Sequence, residues 1–260
     1  MTYETLLVDI AEGVATVTLN RPARMNSFNH TMAVEFRRLW TAVRDDPAVR
    51  AIVLRAAPCP AFCTGVDVKE GWRLPNERQA PFEMDDPGEW LGPKSNKVWK
   101  PVVVAVSGMA AGGAFYWLNE ADIIICSDDA TFFDPHVTFG MVSAVESVGA
   151  MARMPLAQIQ RMALLGNDER IGAQTALRID LVTEITTPQA LWSRAAELAA
   201  IIATKPPVAI QGTVRAIWEA QGMPRAFAVS NALKYTQIGN PIGTASVDRA
   251  SMKTPKWRLR

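Results

Sequence analysis

Short apolar runs of strand length alternate with helical stretches through most of this chain, and that alternation limits the fold more than any other feature. Residues 6–10 and 14–19 read as two strands about the turn Glu12-Gly13, the second alternating through Thr16-Val17-Thr18 with period two. Asn20-Arg21-Pro22 stops it. Met32, Phe36, Leu39, Trp40 and Val43 then share one face of a 3.6-residue period, so a helix is expected there. A buried strand at 51–55 follows Pro47. A second at 102–106 leads through Ser107-Gly108 into Ala110-Ala111-Gly112-Gly113-Ala114, which opens a helix to about Glu120. Strands at 122–126 and 131–133 come next. This order predicts an α/β fold whose parallel strands are covered by helices. From Pro206 onward the pattern is helical, which divides the chain into a core, 1–200, and a C-terminal helical module, 201–260.

Composition excludes several classes. About half of the 260 residues are apolar, and 27 Lys and Arg balance 26 Asp and Glu. That describes a protein with a substantial core and without the basic face that nucleic acid requires. The first residues have no basic segment followed by an apolar run, and no apolar run approaches the roughly 20 residues that span a bilayer, so neither secretion nor a membrane is expected. Cys59, Cys63 and Cys126 form no CxxC pair and read as reduced thiols of a cytoplasmic protein. Residues 71–97 carry Pro75, Pro81, Pro87 and Pro93, together with Trp72, Phe82 and Trp90. A loop this long is usually either functional or disordered, and these aromatics, which argue that it packs on something, fit either a lid over an acyl pocket or a surface excursion.

Two glycine-bearing turns stand out as places for chemistry: Ala61-Phe62-Cys63-Thr64-Gly65-Val66-Asp67 after a strand, and Ala111-Gly112-Gly113-Ala114 at the start of a helix. Small residues there allow a ligand to approach the backbone, and amides at a helix start are free to donate. Two such N–H groups converging on a carbonyl oxygen form an oxyanion hole. His30 and His136 are too isolated to indicate a metal site.

Taken in order, Leu19-Asn20-Arg21-Pro22 with Asn26, the AFCTGVD turn, Lys100-Pro101-Val102, Ser107-Gly108 with AAGG, Ala121-Asp122, and Gly172-Ala173 with Ala176-Leu177 resemble the successive signatures of the crotonase (enoyl-CoA hydratase/isomerase) superfamily. The resemblance covers residues 16–185. It implies a spiral of repeated ββα units with a helical C-terminal trimerisation module, assembled as a homotrimer or as a hexamer built from two trimers. It implies an acyl-CoA thioester as substrate, with coenzyme A belonging to that substrate and no separate cofactor. The backbone N–H groups of Thr64 and Gly113 would form the oxyanion hole, lined by Gly65, Val66 and Gly112. Arg24 and Lys69 would lie near the phosphates and adenine of CoA.

The departures from that pattern bear on the reaction. Hydration needs one carboxylate to activate water and another to deliver a proton. The position of the first, three residues after the oxyanion glycine, holds Tyr116; the second, after a proline, is His136 in Asp134-Pro135-His136. The usual PGAGG turn is replaced by Ser143-Ala144-Val145-Glu146-Ser147. The expected activity is therefore not standard water addition but an isomerase-type reaction, with Glu146 as base and His136 assisting. Hydrolysis, dehalogenation or decarboxylation of a CoA thioester, and an inactive acyl-CoA-binding paralogue, are the alternatives. Tyr116 is expected in the acyl-pocket wall, Cys63 as a small pocket-lining residue and Asp67 as a cap on the following segment. Trp72, Trp90, Phe115, Tyr116 and Trp117 point to an aromatic or alicyclic acyl group.

Overall fold

The computed structural model describes residues 2–73, 86–250, 252 and 257–259. Phe82, Pro75 and Pro81 of the expected lid lie outside them. The chain divides into two units, Met1–Ala203 and Thr204–Arg260.

The first unit opens with a hairpin, β1 (Leu6–Ala11) and β2 (Val14–Leu19), and a long helix α1 (His30–Asp45). Then come β3 (Ala51–Ala56), β4 (Ala61–Cys63), the short α2 (Gly88–Leu91), β5 (Val102–Val106), β6 (Met109–Ala111) and α3 (Phe115–Glu120). They are followed by β7 (Ile123–Ser127), β8 (Thr131–Phe133), α4 (Val145–Ala150), α5 (Leu156–Leu165), β9 (Ile171–Gly172), α6 (Ala173–Arg178), β10 (Glu184–Thr186) and α7 (Pro188–Ala203). The strands form a six-stranded sheet, β1-β2-β3-β5-β7-β10, and a four-stranded sheet, β4-β6-β8-β9. The pairs β1–β2 and β8–β9 are antiparallel and the rest parallel. Each of the pairs β3–β4, β5–β6 and β7–β8 gives one strand to each sheet before a helix follows. That is the spiral of ββα units.

The central strands β3, β5 and β7 of the large sheet are buried on both faces, which is why they read as nearly continuous apolar runs. Ala51, Val53, Val103, Ala105 and Ile125 face α7, whose Leu191, Ala195, Ala199 and Ala203 recur every four residues to form the matching stripe. Ile52, Leu54, Val102, Val104 and Val106 join the main core with Phe36, Trp40, Phe62 and Trp117. The strands β4, β6, β9 and β10 were not anticipated; at two or three residues each they carry no readable period. Several motif residues prove to be fasteners. Asn26 donates from Nδ2 to the carbonyls of Ala57 and Ala61, both at 3.1 Å. Lys100 Nζ donates to Val43 O and Asp46 O, both at 2.5 Å, closing the C-terminal end of α1.

Gly108 turns β5 into β6 at φ +63°, and a Cβ there would stand 2.3 Å from Pro60 O. Gly108→Ala is therefore expected to lose about 3 kcal/mol, from strain plus overpacking against backbone. Urea unfolding measures it, and an unchanged midpoint would contradict the reading.

The second unit contains α8 (Pro207–Ala220) and α9 (Arg225–Ala245), which pack on each other. Glu219 of α8 accepts from Asn231 (2.9 Å), Lys234 (3.2 Å) and Tyr235 (2.6 Å) of α9. Among the described residues no helix is long and apolar enough to cross a membrane.

Candidate active site

The parallel pairing of β4 with β6, Ala61 beside Met109 and Cys63 beside Ala110, sets the ends of the two strands side by side, and with them the two glycine turns. The approach is close. Gly65 has φ +85°, and a Cβ on it would stand 3.0 Å from Gly113 N and 3.2 Å from Ala111 O. Only glycine satisfies both the backbone angle and the space. Thr64, Gly65, Val66, Gly112 and Gly113 all line one cavity of about 250 Å³.

The same cavity is lined by titratable groups. His136 starts a short 3-10 turn, His136–Phe139, after β8, and Glu146 lies in the first turn of α4. His136 Nε2 is 3.7 Å from Glu146 Oε1. On its other side, His136 Nδ1 donates to Asp134 Oδ1 at 2.5 Å, and the His136 backbone N–H donates to the same oxygen at 3.0 Å. Asp134 is fully buried, and its Oδ2 accepts from Ser143 Oγ at 2.7 Å. This partner holds the proton on Nδ1 and aims Nε2 at Glu146.

Environment separates the three groups. Burial works to raise Asp134, but the hydrogen bonds from the His136 ring and backbone and from Ser143 outweigh it, so Asp134 stays below the usual carboxylate range. The hydrogen bond to Asp134 raises His136 above ordinary histidine, against its partial burial. Burial raises Glu146 above an ordinary glutamate, opposed by the charge of His136. Asn119 Nδ2 donates to Glu146 O at 2.9 Å and fixes the start of α4.

The other expected residues divide between the cavity lining and its surroundings. Tyr116 lines the cavity, stacked edge-on to Phe28 with centroids 6.1 Å apart. Cys63 does not line it: the side chain is fully buried, its Sγ accepts from Gly65 N at 3.3 Å, and burial pushes the thiol up to about 12, so it is inert. Asp67 is buried beneath the turn, accepting from Arg21 Nη1 (3.1 Å) and from Lys69 N (3.0 Å). Lys69 and Arg24 are exposed outside the cavity lining, Arg24 lying 3.9 Å from Glu70. Of the aromatics, Trp72 lines the cavity, whereas Phe115 and Trp117 are fully buried core residues and Trp90 packs against the core. Helical spacing cannot tell which face of α3 meets the cavity and which meets the core. Phe28, Val68, Phe139 and Met141, which were not singled out from sequence, complete the wall with Pro87 and Pro135. Nor was the partnership of Asp134 with His136, although the Asp-x-His spacing signals it. Among the described residues, no cluster of His, Cys, Asp or Glu could hold a metal ion.

A ββα spiral with this cavity is the architecture of the crotonase superfamily. The chain belongs to the enoyl-CoA hydratase/isomerase family, whose model matches residues 9–248, and is an enzyme of the kind that processes acyl-CoA. It is similar to an (E)-benzylidenesuccinyl-CoA hydratase of Thauera aromatica, 34% identical over 218 residues, covering 84% of this chain and 83% of the relative. A carnitinyl-CoA dehydratase of Escherichia coli is 30% identical over 228 residues, covering 87% and 83%. The crystal structure of an enoyl-CoA hydratase/isomerase from Mycobacterium paratuberculosis superposes with a TM-score of 0.85 at 32% identity, covering 96% of this chain and 94% of that one.

Proposed function

We propose that the chain catalyses reversible addition of water to the double bond of a 2-enoyl-CoA thioester, using Glu146 and His136 in place of the two glutamates it lacks. The observation that carries this reading is the 3.7 Å approach of His136 Nε2 to Glu146 Oε1 in the cavity that the glycine turns also line. The thioester oxygen accepts from the backbone N–H groups of Thr64 and Gly113, which stabilise the enolate as it forms. Glu146, as carboxylate, takes a proton from water while the water oxygen bonds to the β-carbon. His136, as imidazolium, delivers its proton to the α-carbon as the enolate collapses. Transfer of the proton from Glu146 to His136 then restores both groups. The hydratase and dehydratase names of the two sequence relatives support the reading.

Positional isomerisation of the double bond is the second reading. It needs only one base that returns the proton it takes, and the burial of Glu146 with its raised pKa favours that role too. The apolar lining from Phe28, Val68, Trp72 and Phe139 supports a bulky apolar acyl group in either case. Assembly as a trimer belongs to the same reading and is supported by exposed Phe227, Leu233, Ile238 and Ile242 on α9; light scattering tests it.

A panel of crotonyl, 3-enoyl, dienoyl and arylacryloyl CoA esters, followed by mass spectrometry, decides between the two. A gain of one water supports the first reading, a shifted double bond without added mass supports the second, and binding without turnover across the panel overturns both. Hydration requires Glu146 ionised and His136 protonated. Its rate is therefore expected to fall at low pH as Glu146 takes a proton, and at high pH as His136 loses one. Both limbs lie above the ordinary glutamate and histidine values, because both groups are shifted upward. His136→Gln should abolish the alkaline limb, and persistence of that limb would remove His136 from the mechanism.

A further inference from the structure

The turn that supplies Glu146 also supplies two hydroxyls. Ser143 and Ser147 lie on either side of that glutamate in the chain, and their Oγ atoms approach to 2.5 Å. Ser147 is buried and Ser143 half-buried. Ser143 Oγ in turn donates to Asp134 Oδ2 at 2.7 Å, while Asp134 Oδ1 accepts from both the ring and the backbone N–H of His136. A hydroxyl has one proton to give. That of Ser143 goes to the carboxylate, so the bond between the serines runs from Ser147 to Ser143. The result is a directed chain from Ser147 through Ser143 and Asp134 to the imidazole that faces Glu146. Hydrogen bonds in such a chain polarise one another, so Ser147 makes Ser143 the stronger donor. A carboxylate whose charge is shared with a donor on one oxygen accepts less strongly on the other.

We propose that Ser143 and Ser147 are positioning residues for His136: their paired hydroxyls hold the far oxygen of Asp134 and draw off part of its charge, so that Asp134 orients the imidazole without locking its proton in place. This role rests on the reading of His136 as the acid of the proposed reaction. Without the serines, the charge of Asp134 would fall on the His136 N–H groups alone, and the imidazolium would hold its proton more tightly. Among the described residues, the charged and titratable groups facing His136 are Asp134 behind the ring and Glu146 of α4 before it. The Gly112 turn also packs on the ring but brings no charge; a Cβ there would stand 3.6 Å from His136 Cε1.

The chain has two histidines, so NMR of substrate-free protein follows the His136 Cε1–H titration directly, with the resonance assigned by its loss in His136→Gln. Ser143→Ala is expected to raise the His136 midpoint by about half a unit, roughly threefold in the acid constant. Ser147→Ala should raise it by less, because Ser143 then remains as an unaided donor. Ser143→Thr, which keeps the hydroxyl, should return the wild-type value. In the Asp134→Asn background, where no carboxylate charge is left to share, Ser143→Ala should shift nothing further. A fall in Ser143→Ala would mean that the serine merely keeps Asp134 in contact with the ring, and overturns the assignment. So does the same rise in both backgrounds, or no shift at all. The His30 resonance checks that each variant is folded. Because the titration needs no substrate, its failure would leave the proposed reaction standing, and turnover on the ester panel tests that reaction separately.

Discussion

Glu146→Gln is expected to lower kcat on the acyl-CoA substrate by about 10³-fold, within the range lost when a positioned acid or base is removed. The substitution keeps the size of the side chain and deletes only its capacity to take a proton. The hydrogen bond from Asn119 Nδ2 to Glu146 O does not involve the Glu146 side chain, so the start of α4 and the fold are expected to persist, as circular dichroism would check. KM should change little, because neither glycine turn is touched. The effect holds under both hydration and isomerisation, since both require a base at this place. Full turnover by Glu146→Gln would move the base elsewhere in the cavity.

The second large effect is at Gly113. Gly113→Pro removes the N–H that we propose stabilises the developing oxyanion, and losing one such donor costs about 10²–10³-fold in kcat. Space contributes separately: a Cβ on Gly113 would stand 2.6 Å from Phe28 Cε1 and 3.3 Å from Tyr116 Cε2. Gly113→Ala separates the two causes, because alanine keeps the N–H but crowds the ring. Shortening the neighbour with Phe28→Leu should recover part of the activity of Gly113→Ala and none of that of Gly113→Pro. Equal recovery in both would show that packing, rather than the amide, sets the rate.

Much of this was legible in residues 16–185. The buried strand Val102–Val106 and the helix face of Phe36 and Trp40 follow from periodicity, because elements buried on a fixed face must repeat at fixed spacing. The two glycine turns were visible because close backbone approach admits no side chain. Lys100 and Asn26 were noticed as motif residues, yet their work as fasteners became clear only from the carbonyls they reach across 31 to 57 residues. The aromatics of α3 were misassigned as pocket lining in two cases of three, since Phe115, Tyr116 and Trp117 are consecutive and only the packing says which one faces the cavity.

The sequence by itself determined the family, the paired glycine turns and the residues Tyr116 and His136 at the two motif positions weighed for catalysis, because these depend on residue identity at a position along the chain. Tertiary structure alone decided that His136 and Glu146, ten positions apart, face one another at 3.7 Å with Asp134 behind the imidazole. It alone decided that Tyr116, lining the cavity, donates its hydroxyl proton to Asp86 in the segment before α2. Acid–base chemistry depends on distances of a few ångströms and on burial, and both are set by how the spiral stacks its turns, which no spacing along the chain records.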